Sequence, residues 1–156
     1  MTPVTKSIIV DADVSDVYGL WSHFEMFPYF MENIKEVTIT GPNTSHWVMK
    51  GLLGKDFQWE AQTTALECNS RIAWRSIRGD LMTEGDVRFE DQGGGRTRIT
   101  ATVWYDPPAG LAGEIIAKLF TNPDKRLESD LERFKEYAKH PQATLDRGCS
   151  WRGKDQ

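Results

Sequence analysis

The feature that most constrains this fold is an amphipathic stretch at residues 105–140, which closes a series of strand-like segments. Residues 106–108, Asp-Pro-Pro, are typical of a helix start, because a first turn does not need the N–H that proline lacks. Residues 122–124, Asn-Pro-Asp, repeat that signal, so we predict one long helix that is broken once. Its apolar stripe comprises Ala112, Ile115, Ile116, Leu119, Phe120, Leu127, Leu131, Phe134 and Ala138. Because the other face is mostly charged, the helix must pack its stripe against the strands that precede it.

Seven segments before this helix alternate with the period of two that is typical of strands. They span residues 4–11, 34–40, 45–51, 57–66, 71–77, 82–90 and 96–105. The connections after the second strand are too short for crossover helices, so these strands form antiparallel hairpins. Two short helical segments, at residues 13–21 and 24–31, follow the first strand. We therefore predict an α+β fold with an antiparallel sheet of about seven strands curled around a long C-terminal helix. One domain covers residues 1–140, and residues 141–156 form a polar tail.

Charge and cysteine content exclude several classes of protein. The formal net charge of −4 argues against binding to nucleic acid or to an anionic membrane surface. No apolar run reaches the roughly 20 residues of a membrane span, and the N-terminus lacks the pattern of a signal peptide. Cys68 and Cys149 are isolated, so we expect reduced thiols, with a disulfide between the two as the alternative. We also expect a cytoplasmic protein without stable membrane insertion. The oligomeric state is left open.

Several phrases of the sequence resemble one known superfamily. They are DADVSDVYGLWSHFEMFPYFMENIKEV, SHWVMKG, FQWEAQ, RIAWRSI, GDVRFE, GGGRTRITATVWYDPPAG and LESDLERFKEYAK. Together they resemble the START/Bet v 1-like (SRPBCC) superfamily, and within it the polyketide cyclase/dehydrase and lipid-transport group, which includes coenzyme Q-binding START-like proteins. The resemblance covers about residues 4–139 and implies a helix-grip fold with a tunnel between the sheet and the long helix.

The implied tunnel defines a set of candidate ligand-binding residues. They are Phe27, Phe30, Phe57, Trp59, Trp74, Phe89, Val103, Tyr105, Ile116, Leu119, Leu127, Leu131 and Phe134. Phe27 and Phe30, together with Tyr29 and Met31, are expected near the mouth. The alternative for each residue is a solid core in which these side chains contact one another, since aromatic residues dominate core packing.

Two residues are candidates for catalysis. Arg75 could polarise a carbonyl and Glu60 could act as a base if buried, but strand alternation puts Trp74 inside and Arg75 on the solvent face. The histidines and cysteines have no metal-ligand spacing, and we expect neither a metal nor a cofactor. The function that we favour is binding or transport of a small hydrophobic ligand, which could be a lipid, an isoprenoid quinone or a polyketide-like compound. The alternative is a polyketide aromatase/cyclase or dehydratase that uses the same cavity.

Overall fold

A computed structural model describes residues 3–51, 54–106 and 122–139 of the 156-residue chain. The elements in chain order are β1 (Val4–Val10), α1 (Val14–Ser22), a 3₁₀ helix (Phe24–Tyr29), β2 (Ile34–Gly41), β3 (Thr44–Met49), β4 (Phe57–Glu67), β5 (Arg71–Gly79), β6 (Met82–Gly93), β7 (Arg96–Asp106) and α2 (Pro123–Lys139). The prediction of an α+β helix-grip fold is confirmed.

The seven strands form one antiparallel sheet in the order β1-β7-β6-β5-β4-β3-β2. From β2 to β7 each strand pairs with its neighbour in sequence, as short hairpin connections require. The two helical segments after β1 carry the chain to the far edge, so the first strand pairs with the last. Ile8 lies opposite Ile99 in that pairing, and the Thr5 and Thr102 hydroxyls hydrogen-bond at 2.9 Å on the outer face.

α1 and the 3₁₀ helix build an aromatic core at the centre of the molecule. Trp21 contacts Phe27, Phe30 and Phe134 at ring-centroid distances of 5.5, 5.1 and 5.1 Å. Phe134 comes from α2, so this cluster joins the helical connection to the C-terminal helix. Edge-to-face and tilted ring contacts of this kind each add to the free energy gained from burying the rings.

α2 begins at the second of the two helix-start signals in the sequence. Pro123 is its first residue, and the amide of Arg126 donates to the Asn122 carbonyl at 3.0 Å. Its buried side chains are Leu127, Leu131, Phe134 and Tyr137, which recur at the spacing of one helical face. The first half of the predicted long helix and the tail at 141–156 lie outside the described residues.

The expectation of reduced thiols is wrong for Cys68, which is disulfide-bonded. Cys68 is exposed in the turn between β4 and β5. Whether two cysteines can form a disulfide depends on their distance in the fold, and that distance cannot be inferred from their separation in the sequence. Cys149 lies outside the described residues. In the part of the chain that the structure describes, no helix is long and apolar enough to cross a membrane.

Candidate functional site

A cavity of about 70 Å³ lies between the inner face of the sheet and α2. Its walls come from β1, β2 and the segment before it, from β3 to β7, and from the first turns of α2. The lining residues are Val4, Met31, Asn33, Ile34, Trp47, Met49, Trp59, Trp74, Thr83, Val103, Tyr105, Pro123, Arg126, Leu127 and Asp130. The cavity is therefore mainly apolar, with a few polar groups.

Three tryptophans of neighbouring strands form the sheet side of the cavity, and we call Trp47, Trp59 and Trp74 the tryptophan wall. Trp47 pairs directly with Trp59 across β3 and β4, and their rings stack with centroids 5.9 Å apart and planes 19° apart. The rings of Trp47 and Trp74 are 5.5 Å apart, with planes at 22°. All three residues are buried. The wall therefore presents large, nearly parallel aromatic surfaces.

The position of Trp74 depends on a glycine in the next strand. Gly85 pairs with Trp74 across β5 and β6, and a Cβ at Gly85 would lie 2.2 Å from the Trp74 ring. No side-chain atom can approach a ring that closely. The Trp74 ring can therefore occupy this position because residue 85 is glycine. The alternating pattern of β5 then sends Arg75 to the opposite face.

Two ionisable residues with shifted pKa values, Tyr105 and Asp130, line the cavity together with Arg126. Burial, together with the charge of Asp130, raises the pKa of Tyr105 to about 12, while Arg126 acts in the opposite direction. Tyr105 is therefore a neutral phenol at physiological pH. A neutral phenol can donate a hydrogen bond to an oxygen on which negative charge develops.

Asp130 is the acidic residue of the cavity wall, and its side chain is 22% exposed. Burial raises its pKa above the ordinary value of 3.8, and the charge of Arg133 opposes that shift. Its Oδ1 accepts hydrogen bonds from Arg133 and from the Glu32 amide, the latter at 3.4 Å. Arg133 Nε also donates to the Phe30 carbonyl at 3.1 Å. These contacts attach α2 to the segment between the 3₁₀ helix and β2, at the edge of the cavity.

The structure divides the predicted ligand-binding residues into three groups. Those on the cavity wall are Trp59, Trp74, Val103, Tyr105 and Leu127. Those away from the wall are Phe27, Phe30, Phe89, Leu131 and Phe134 in the buried core, and Phe57, which is partly buried against that core. Ile116 and Leu119 lie outside the described residues. Phe27 and Phe30 belong to the core because the 3₁₀ helix turns their rings toward Trp21.

The two catalytic candidates, Arg75 and Glu60, lie on the outer face of the sheet. Arg75 is exposed, and its guanidinium donates to Gln62 Oε1 at 3.5 Å. Glu60 is partly buried and hydrogen-bonds His46 Nδ1 at 2.5 Å, a contact that raises the pKa of His46. Neither side chain lines the cavity. Among the described residues, no group of three His, Cys, Asp or Glu side chains could hold a metal ion.

Arg126 and Asp130 line the cavity but were absent from the sequence-based set. Both belong to the charged face of the predicted helix, which sequence reasoning assigned to solvent. For Asp130 the sequence does contain an indication, because positions 123, 127, 130 and 134 share one side of a helix and Leu127 and Phe134 belong to the apolar stripe. Asp130 therefore lies on the border of the apolar stripe. Met49 was also absent, because a flexible methionine at a strand end is equally typical of core packing, whereas Met31, which is expected near the mouth, lies on the wall.

Comparison with known proteins agrees with this architecture. The sequence pattern of the family described as polyketide cyclase/dehydrase and lipid transport matches residues 10–142. The fold is similar to a Deinococcus radiodurans crystal structure at 26% identity and a TM-score of 0.73, over 88% of this chain and 96% of the other. It is similar to a START superfamily protein of Mycobacterium smegmatis at 19% identity and a TM-score of 0.68, over 86% of this chain and 97% of the other. It is also similar to the Zhui aromatase/cyclase of Streptomyces sp. R1128 at 16% identity and a TM-score of 0.70, over 92% of this chain and 96% of the other.

Proposed function

Because the chain belongs to the polyketide cyclase/dehydrase and lipid transport family, we propose that it binds a small hydrophobic molecule in the cavity between the sheet and α2. The observation that supports this proposal is the tryptophan wall, whose stacked rings line the cavity. Small-molecule sites are typically concave and mainly apolar, with a few polar groups that orient the ligand. Polar groups of this kind are Tyr105, Arg126 and Asp130.

The size of the cavity bears on how a ligand enters. A volume of about 70 Å³ accommodates a few water molecules, whereas a lipid, a quinone or a polyketide-like compound needs more space. Met31 and Met49 lie on the wall, and methionine side chains adapt to irregular shapes because they are unbranched and have three rotatable bonds. We therefore expect the wall to rearrange when a ligand binds.

Native mass spectrometry of the freshly purified protein, followed by denaturation and identification of released molecules, tests this proposal. We expect a stoichiometric hydrophobic passenger. Val103→Trp introduces a large ring at the wall and should abolish its retention. Ile77→Trp adds the same ring at an exposed position of β5 and should leave retention unchanged. A passenger that persists in Val103→Trp would show that it binds elsewhere.

A second candidate function is an aromatase/cyclase or dehydratase, and the arrangement of Tyr105 and Asp130 on the cavity wall favours it. A carboxylate with a raised pKa is a stronger base, and it could remove the proton from a carbon between two carbonyl groups. The electron pair would move to a carbonyl oxygen, which the Tyr105 phenol and the Arg126 guanidinium could stabilise. The enolate carbon could then attack a second carbonyl carbon and close a ring, and the resulting alkoxide would take back the proton held by Asp130. Loss of that hydroxyl with a hydrogen of the adjacent carbon, as water, would leave a double bond in the ring.

A tetraketide or longer poly-β-ketoacyl thioester analogue, which is long enough to close a six-membered ring, tests the enzymatic candidate. Asp130→Asn should slow its cyclisation by more than tenfold, because an amide cannot accept the proton. Glu132→Gln, a matched change at an exposed position of α2, should have no effect. Equal rates for the wild type and Asp130→Asn would contradict the enzymatic role and leave ligand binding as the function.

A further inference from the structure

We infer that the indole N–H of Trp59 donates a hydrogen bond to an oxygen of the bound molecule, so that the ligand is a flat ring compound bearing a carbonyl or ether oxygen. The inference rests on the proposed function and adds a chemical class to it. A saturated acyl chain that has no oxygen near Trp59 could not accept this hydrogen bond.

The first step of the argument is the state of Trp59 itself. The residue is 2% exposed, lies on the cavity wall, and its Nε1 has no hydrogen-bond partner among the residues that the structure describes. A buried N–H without a partner is costly, so buried polar groups in proteins are almost always paired. Because Nε1 is itself buried, a ligand oxygen reaches it when the cavity wall rearranges on binding, and that oxygen would supply the acceptor that this N–H lacks.

The neighbouring ring of the tryptophan wall gives the contrast. Trp47 stacks on Trp59, yet its Nε1 donates to Ser45 Oγ at 2.8 Å. The chain therefore supplies a buried hydroxyl for one indole of the stacked pair and none for the other. Trp47 contributes an aromatic surface, whereas Trp59 contributes an aromatic surface and a donor.

Trp21 shows that an unpaired indole alone does not define a ligand site. Its Nε1 also lacks a hydrogen-bond partner among the described residues, but Trp21 does not line the cavity. Phe27 and Phe30 meet the Trp21 ring edge to face. Trp21 therefore packs among core rings, away from the cavity in which a ligand is proposed to bind. In the described part of the chain, the ring contact of Trp59 is the near-parallel stack with Trp47, which presents no ring face to its N–H edge.

The shape of the tryptophan wall indicates that the ligand is flat. Parallel tryptophan planes favour a flat ring, since offset stacking is one of the preferred arrangements of aromatic groups. Another hydroxyl on the wall, that of Thr83, is already engaged as a donor to the Trp104 carbonyl at 2.7 Å. Trp59 is therefore a donor beside the stacked indole surfaces, a position suited to an oxygen on the edge of a flat molecule.

A pair of isosteric probes tests this inference. Acetophenone and α-methylstyrene have the same planar skeleton, but only the ketone carries an acceptor oxygen. Their affinities would be measured by calorimetry for the wild type, Trp59→Phe and Trp104→Phe. Trp104 is partly buried on the opposite face of the sheet. Comparing the ketone-to-alkene affinity ratio between variants cancels the difference in hydration of the two probes. In the wild type, the indole ¹H resonance of Trp59 would be followed during both titrations.

We expect Trp59→Phe to lower the affinity ratio about five- to tenfold, the loss typical of one buried hydrogen bond, while Trp104→Phe leaves the ratio unchanged. Acetophenone, but not α-methylstyrene, should move the Trp59 indole proton downfield. Two bound probes with an unchanged ratio in Trp59→Phe and no selective shift would overturn the inference and leave the proposed function standing. Failure of both probes to bind would overturn the proposed function as well. The resonance shift needs no variant, so it decides the question even if Trp59→Phe folds poorly.

Discussion

At the scale of single residues, the charge of Asp130 connects the cavity to the stability of the protein. Its folded-state pKa is raised above 3.8, chiefly by burial, so the folded state holds a proton that the unfolded chain has released. Between 3.8 and the raised value, the free energy of unfolding therefore falls as the pH rises. Asp130→Asn cannot ionise, and its stability relative to the wild type should increase over that interval.

Urea unfolding at a series of pH values measures this difference. The variant keeps an amide oxygen that can accept from the Glu32 N–H, so the comparison isolates the charge. Glu132→Gln, at an exposed position of the same helix, should follow the wild-type profile. A difference between the wild type and Asp130→Asn that is constant from acid to neutral pH would contradict the assigned shift.

Tyr105 should produce a similar effect at alkaline pH. Burial raises its pKa from 10.0 to about 12, so over this interval the folded state retains a proton that the unfolded chain releases. The wild type should therefore lose stability as the pH rises from 10.0 to about 12, and Tyr105→Phe should lose less. Denaturant midpoints over this range measure the loss. Tyr29→Phe provides the comparison, because Tyr29 is 53% exposed and lies outside the cavity wall.

At the scale of elements, the pairing of β5 with β6 depends on the absence of a side chain at Gly85. In Gly85→Ala, the new methyl group would meet the Trp74 ring at 2.2 Å. That ring is held by Phe24, Phe27 and Trp47, at centroid distances of 5.7, 5.7 and 5.5 Å, so it cannot move freely. We expect a loss of about 1–3 kcal/mol in the free energy of unfolding, the usual cost of overpacking.

Chemical denaturation measures the effect of Gly85→Ala. Glu84→Ala changes the neighbouring residue of β6, whose side chain is exposed on the other face, and should stay within about 0.5 kcal/mol of the wild type. If Gly85→Ala were as stable as the wild type, Trp74 would have an alternative position, and the tryptophan wall would be adaptable rather than fixed.

Most of the element order could be predicted because it depends on short-range patterns. Each predicted strand agrees with the structure to within about three residues at either end, and α2 begins at the predicted second start signal, Pro123. Alternation also placed Trp74 inside and Arg75 outside. These features can be predicted from local patterns alone: the period of two in a strand, and the proline and glycine residues that begin or end an element.

The cavity wall was harder to predict at the scale of the whole molecule, because it depends on distances between elements. Phe30 and Trp59 are both buried aromatics in the sequence pattern, yet one packs in the core and the other lines the cavity. Asp130 looked like part of a solvated helix face, and only the docking of α2 on the 30–33 segment turns it toward the cavity. The disulfide of Cys68 likewise depends on a spatial approach that spacing does not reveal.

The cavity also makes a prediction for the unfolding of the whole molecule. A probe that binds only the folded state stabilises it by about 2.7 kcal/mol when its free concentration is about 100 times Kd. For a domain of this size, each kcal/mol corresponds to roughly 2–4 °C in Tm. We therefore expect acetophenone at that concentration to raise the wild-type Tm by about 5–10 °C, an upper value if the probe also binds the unfolded chain.

Val103→Trp and Ile77→Trp distinguish binding in the cavity from binding at the surface. Val103 lies on the cavity wall opposite Gly85 in the sheet, so a tryptophan there should occupy the space and reduce the Tm shift to near zero. Ile77 is 43% exposed, and its replacement should preserve the shift. Scanning calorimetry with and without the probe gives both values. An equal shift in all three proteins would place the probe outside the cavity, whereas a shift lost in Val103→Trp alone would make the space beside the tryptophan wall the binding site.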